Sequence, residues 1–172
     1  MYQRLSWKGS ILGRCGSVLL PALLYLAGAC SALEPGSAWA AMDAKQVQIV
    51  AKVFSFLEKK PAAGAGIVIT PNSADLAAAK SVLAADKIIE GPAANAGGAF
   101  AIFVTSAADA KTASGVNAGI LTISDDLGCV EAGACILAIK TQPKVAIYVS
   151  RAAASKAGIE FDTSFKMLLT EK

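Results

Sequence analysis

Apolar and polar positions along residues 41–172 follow two rhythms, and these divide the chain into helices and strands. Val47, Val50, Phe54 and Leu57 recur at spacings of three and four, one stripe of a helix over Ala44–Lys59. Asp43, with Gln46 three residues on, makes a capping-box pattern at its start, and Pro61 and Gly64 end it. Lys45, Lys52 and Lys59 fall off the stripe, so this helix has one face to bury. Gly66-Ile67-Val68-Ile69-Thr70 is instead a continuous run rich in β-branched residues, as in a strand covered on both faces. Asn72 or Ser73 then caps a helix whose inner side is Leu76, Ala79, Val82 and Leu83. Lys87–Glu90 follows as a strand stopped by Gly91-Pro92. Strand, helix and strand in so short a span form a βαβ unit.

The same two rhythms continue. Residues 93–98 are a loop of small residues, and Ala99–Thr105 is another buried strand. Ser106 and Asp109 open a short helix to Ala113, and Gly119–Ser124 is a strand ending at Asp125-Asp126. Cys135–Lys140 and Lys144–Val149 are strands joined only by Thr141-Gln142-Pro143, and so short a connection requires antiparallel pairing. Ser150 caps a helix that Gly158 stops, and Asp162 caps a last short helix carrying Phe165, Leu168 and Leu169. The predicted fold is α/β: a three-layer sandwich with a mostly parallel sheet and a C-terminal antiparallel hairpin.

Residues 1–40 break this pattern. Arg4, Lys8 and Arg14 precede an apolar run over Val18–Ala29, and Ser37-Ala38-Trp39-Ala40 supplies small residues where a signal peptidase cuts. This order predicts a signal peptide over 1–40 and a periplasmic domain over 41–172. The apolar run is shorter than the roughly 20 residues of a membrane span, so no insertion is expected once it is removed. Leu26-Ala27-Gly28-Ala29-Cys30 offers a second route, lipidation at Cys30, with Ala27 standing where such signals usually carry Leu.

Cleavage changes the charge and the cysteine count. The chain has 16 basic and 13 acidic residues; losing the leader leaves 13 and 12, a nearly neutral domain with no argument for nucleic-acid binding. Only Cys129 and Cys135 remain, five residues lying between them, most simply one disulfide in an exported domain. A redox-active pair is the alternative. With no histidine and two thiols, neither a metal site nor a cofactor is expected.

The missing histidine also removes most hydrolase mechanisms, and no Gly-rich phosphate loop follows a strand. The expectation is a non-enzyme. A candidate ligand crevice lies where strands end: Asn72 and Ser73 follow one, Asp125 another, and open α/β sheets bind ligands at such ends. Ordinary capping and turn roles explain the same residues.

The C-terminal half carries a further pattern. Gly119-Ile120-Leu121-Thr122-Ile123-Ser124-Asp125, a Cys-flanked loop with Gly133, the paired strands and the closing stretch Ala152–Ile159 resemble the YfiR family of periplasmic proteins. Residues 164–169 and the helix Val47–Glu58 fit the family's ending and opening. The chain departs from the pattern at Lys59-Lys60-Pro61, where an aromatic-proline pair is common, at Ser150, and in lacking a second disulfide. The resemblance implies a regulator that restrains an inner-membrane signalling protein, such as a diguanylate cyclase, by protein contact, and that forms homodimers. It also implies a structural role for Cys129 and Cys135. Such a regulator is expected to expose an apolar patch, placed on the first helix. A small-ligand (solute) binding protein of the periplasm is the alternative.

Overall fold

The computed structural model describes residues 41–172 apart from 63 and 85; the leader assigned to 1–40, with Cys15 and Cys30, lies outside the described residues. The elements are α1 (Ala44–Ser55), β1 (Gly66–Ile69), α2 (Leu76–Val82), β2 (Lys87–Glu90), a 3-10 turn (Ala93–Ala96) and β3 (Ala99–Phe103). They continue with α3 (Ala107–Val116), β4 (Leu121–Ser124), α4 (Leu127–Glu131), β5 (Leu137–Lys140), β6 (Ala146–Val149), α5 (Arg151–Ala157), α6 (Thr163–Lys166) and β7 (Thr170–Glu171). One sheet runs in the order β2-β1-β3-β4-β5-β6-β7. Its first five strands are mutually parallel, β6 is antiparallel to β5, and β7 is parallel to β6. In the hairpin, Leu137 stands opposite Val149 and Lys140 opposite Ala146. This is the expected α/β fold with its C-terminal hairpin.

The central strands β1, β3, β4 and β5 bury both faces, because helices cover the sheet on both sides, whereas β2 and β7 at its edges are more exposed. Ile67, Ile69, Phe103, Leu121, Ile123, Leu137 and Ile139 point to one core, which α1, α2, α5 and α6 close with Val47, Val50, Ala79, Ala154 and Phe165. Val68, Ile102, Ile120 and Ala138 point to the other, closed by Ala110 and Ala113 of α3 and Cys129 and Val130 of α4. One irregularity departs from strict alternation. The β1–β3 register slips between Gly66 and Ile67, which face Ala99 and Ala101, so Phe100 is an extra residue on β3. The bulge sends Phe100 to the same side as Ala101, where its ring meets Phe54 edge-on at 5.0 Å.

The capping box forms: Gln46 N–H donates to Asp43 Oδ1 and Asp43 N–H to Gln46 Oε1, each at 2.8 Å. Gln46 also donates from Nε2 to the Ile139 carbonyl at 2.8 Å, tying α1 to β5. The helix ends at Ser55 rather than Lys59, because the next residues leave it to pair with a distant segment. Leu57 bridges Phe161, and Glu58 N–H donates to the Glu160 carbonyl at 3.0 Å.

The cap of α2 is Asp75, whose Oδ1 accepts from Ala78 N–H at 3.0 Å, and not Asn72 or Ser73. Those two belong to a turn: Asn72 takes φ +61° and the Ser73 hydroxyl donates back to the Thr70 carbonyl at 2.8 Å. Met42 then pairs with Ala74 and delays the helix. Residues 93–96 form a 3-10 turn with Ala93 and Ala96 buried, where a loop was expected. The cysteine loop begins as a helix, α4, capped by Asp126. The last predicted helix is only Thr163–Lys166, and an unforeseen strand, β7, follows it.

Candidate functional site

The parallel strands β1 to β5 end along one edge of the sheet, which gathers the residues that follow them. β1 leads outward to β2, and the chain then crosses back to β3, so the carboxyl ends of β1 and β3 flank the point where strand order reverses. Thr70 closes this point from within: its N–H and its hydroxyl both donate to the Phe103 carbonyl, at 3.2 and 3.0 Å. Beyond β3, Ser106 and Asp109 satisfy each other, the hydroxyl donating to Asp109 Oδ2 at 2.8 Å and accepting from Asp109 N–H at 3.1 Å.

A cavity of about 220 Å³ lies at the end of β1, lined by Thr70, Pro71, Asn72, Glu90 and Gly91. Of the three crevice residues expected from sequence, it includes Asn72 alone. Ser73 is buried and turned back on Thr70. Asp125 follows β4, with β3 between it and the end of β1. Burial raises the Asp125 carboxyl above its ordinary range, against the attraction of the Lys140 cation across the β4–β5 ends. Asp126 beside it caps α4, accepting from Gly128 N–H at 2.9 Å.

Cys129 and Cys135 are joined in a disulfide, their Cα atoms 5.2 Å apart. Both are buried, Cys129 on α4 and Cys135 just before β5, so the bond ties helix to sheet inside the second core. Exposure in this ring is confined to residues such as Glu131, Ala132 and Gly133. A reductant reaches the sulfurs only after this part of the structure opens.

The apolar patch lies elsewhere than expected. On α1 the exposed residues are Ala44, Lys45, Gln48, Lys52 and Ser55, while its large apolar side chains turn inward. Met167 and Leu168, by contrast, are 79 and 67 % exposed, the most exposed large apolar residues described. They follow α6 directly. Phe165, two residues before Met167 and within that helix, is buried, stacked on Phe56 at 4.9 Å and tilted against Phe161 at 5.5 Å. The two exposed side chains thus directly follow a helix anchored by aromatic packing and precede the edge strand β7. Asp162 fixes the start of α6, accepting from Phe165 N–H and the Ser164 hydroxyl at 2.8 and 2.6 Å. Those bonds, the serine hydroxyl first, hold its carboxyl below the ordinary range.

Sequence periodicity hid this patch. Spacing of three from Phe165 puts Leu168 on the buried side of a helix, yet the helix stops at Lys166 and Leu168 turns outward. The signal available was length: a helix of one turn does not carry its periodicity past its end. No known protein-family profile matches the chain, and no curated protein matches it.

Proposed function

We propose that this domain is a periplasmic, non-enzymatic regulator that restrains an inner-membrane signalling protein, such as a diguanylate cyclase, by protein contact. The observation that carries the reading is the exposed pair Met167–Leu168, directly after the aromatic-anchored helix α6. Two adjacent large apolar side chains in water gain from a partner that covers them, and the packed helix just before them lowers the ordering entropy of that contact. The family resemblance of the sequence supplies the class of partner. A homodimer through the same patch belongs to the same reading, since such regulators act in pairs.

A photocrosslinking residue placed at Leu168 in cells tests it. The expected adduct is with an inner-membrane protein that has a periplasmic sensory part, and Met167→Asp should abolish it without lowering the melting temperature. An adduct with a second copy alone would assign the patch to dimerisation. No adduct from a folded, exported protein would overturn contact through this surface. The alternative reading, a solute-binding protein, rests on the 220 Å³ cavity beside Asn72. A thermal shift that Asn72→Ala removes would favour it, since a ligand at 100 times its Kd adds about 2.7 kcal/mol.

A further inference from the structure

The opposite edge of the sheet, where the parallel strands begin, holds a cleft of about 340 Å³ between α3, α5 and the ring closed by the disulfide. It exists because its walls are small. Gly115 and Ala118 line it from one side, Gly133 and Ala134 from another, and Ala153 and Ala157 from α5. The Cys129–Cys135 bond holds the Gly133–Ala134 wall in place.

Its charged groups are of one sign. Lys111 on α3 and Lys156 on α5 flank the cleft, Ser114 adds a hydroxyl, and no carboxylate lines it. Neither lysine is in any of the ion pairs formed among the described residues. Thr122 lies within the cleft and is buried; its oxygen accepts from Ile136 N–H at 2.9 Å, which leaves its hydroxyl proton free to be donated. Two cations from separate elements and two hydroxyls thus line one cleft in a nearly neutral domain. Lys156 also sits in the last turn of α5, where a cation complements the helix carbonyls, but Lys111 lies inside α3 and has no such role.

From this we infer that the cleft is a binding site for a small anion, a carboxylate or a phosphorylated metabolite, held between Lys111 and Lys156 over the Thr122 hydroxyl. The site is separate from the Met167–Leu168 patch, and it stands or falls independently of the partner reading.

Titration calorimetry of the exported, oxidised protein with succinate and with inorganic phosphate tests this. Saturable one-to-one binding is expected for at least one of them; succinate alone would mark the ligand as a carboxylate, phosphate alone as a phosphoryl compound. Lys111→Gln and Lys156→Gln should each weaken it about tenfold, the loss of one charge-assisted hydrogen bond. Gly115→Leu is the blocking variant. A Cβ at Gly115 meets open space, and leucine is the better helix former, so the variant should lose binding with an unchanged or higher melting temperature. Absence of binding by both anions, or undiminished affinity in Gly115→Leu or in both lysine variants, would overturn the assignment.

Discussion

The two faces of the sheet are covered by different kinds of residue. Toward α1, α2, α5 and α6 the strands present large side chains, Phe103, Leu121, Leu137 and several isoleucines, joined by Phe54, Phe161 and Phe165. Toward α3 and α4 they present fewer large ones, and the helices answer with Ala110, Ala113 and Cys129, with Ala93, Ala96 and Ala99 alongside. The first face is held by apolar area, which scales with side-chain size. On the second, alanine lets the helices approach closely, and a covalent bond from α4 to the start of β5 makes up for the smaller area. The first face should therefore be sensitive to lost volume and the second to added volume. Small residues of the second side, Gly115, Ala118, Gly133 and Ala134, also meet Ala153 and Ala157 of α5 around a cleft at the strand starts. The first face instead carries the aromatic cluster of Phe56, Phe161 and Phe165 just before Met167 and Leu168.

The largest expected effect tests the first face. Phe103 is fully buried, and Phe103→Ala should lower stability by about 3–5 kcal/mol in chemical denaturation, the cost of the lost transfer free energy and the cavity. A loss below about 1 kcal/mol would mean that this core collapses around the gap and is not rigidly packed. On the second face the opposite substitution is the sensitive one. Ala113→Leu should cost about 1–3 kcal/mol through overpacking, although leucine is a good helix former. If it stabilises the protein instead, the second face has spare room and the contrast fails. Removing the bond with Cys129→Ala and Cys135→Ala should cost about 2 kcal/mol, the chain-entropy value for so short a ring, and reducing agent should then have no further effect.

Much of this architecture was legible in the sequence. Continuous runs such as 66–70 and 99–105 announce strands buried on both sides, and the three-residue link before Lys144 forces the hairpin. Caps with a local partner were legible too: Asp43–Gln46, Ser150 and Asp162 all act as caps. What failed depended on residues far away in the chain. Lys59 lies beyond the helix because Leu57 meets Phe161, and Asp75 caps α2 because Met42 occupies Ala74. The bulge at Phe100 is set by the neighbouring strand, and nothing in the alternation of its own run signals it. The site residues followed the same rule. Cys129 and Cys135 declared themselves by being the only two cysteines after residue 40, whereas the Lys111–Thr122–Lys156 cleft joins three elements that no local motif connects.

The smallest effect concerns the carboxyl edge, where the contrast between the faces gives way to electrostatics. Asp125 is half-buried there, and its carboxyl is raised above the ordinary range because burial outweighs the pull of Lys140. A carboxyl raised in the folded state favours folding when protonated, so its contribution is present below the unfolded pKa and is lost as pH rises through the folded one. At neutral pH the charged form is therefore a net burden on this edge. Asp125→Asn should raise the melting temperature by a few degrees at pH 7, about the effect of 1 kcal/mol or less in a domain of this size. The advantage should shrink as pH falls through the raised pKa of the folded state, where the native aspartate takes up its proton and the two proteins become alike. If the variant is instead less stable at pH 7, and the deficit narrows in acid, then attraction to Lys140 outweighs desolvation and Asp125 is an anchor of this edge. Melting curves of both proteins across that range decide between the two, and they do so without assuming a ligand at the strand ends.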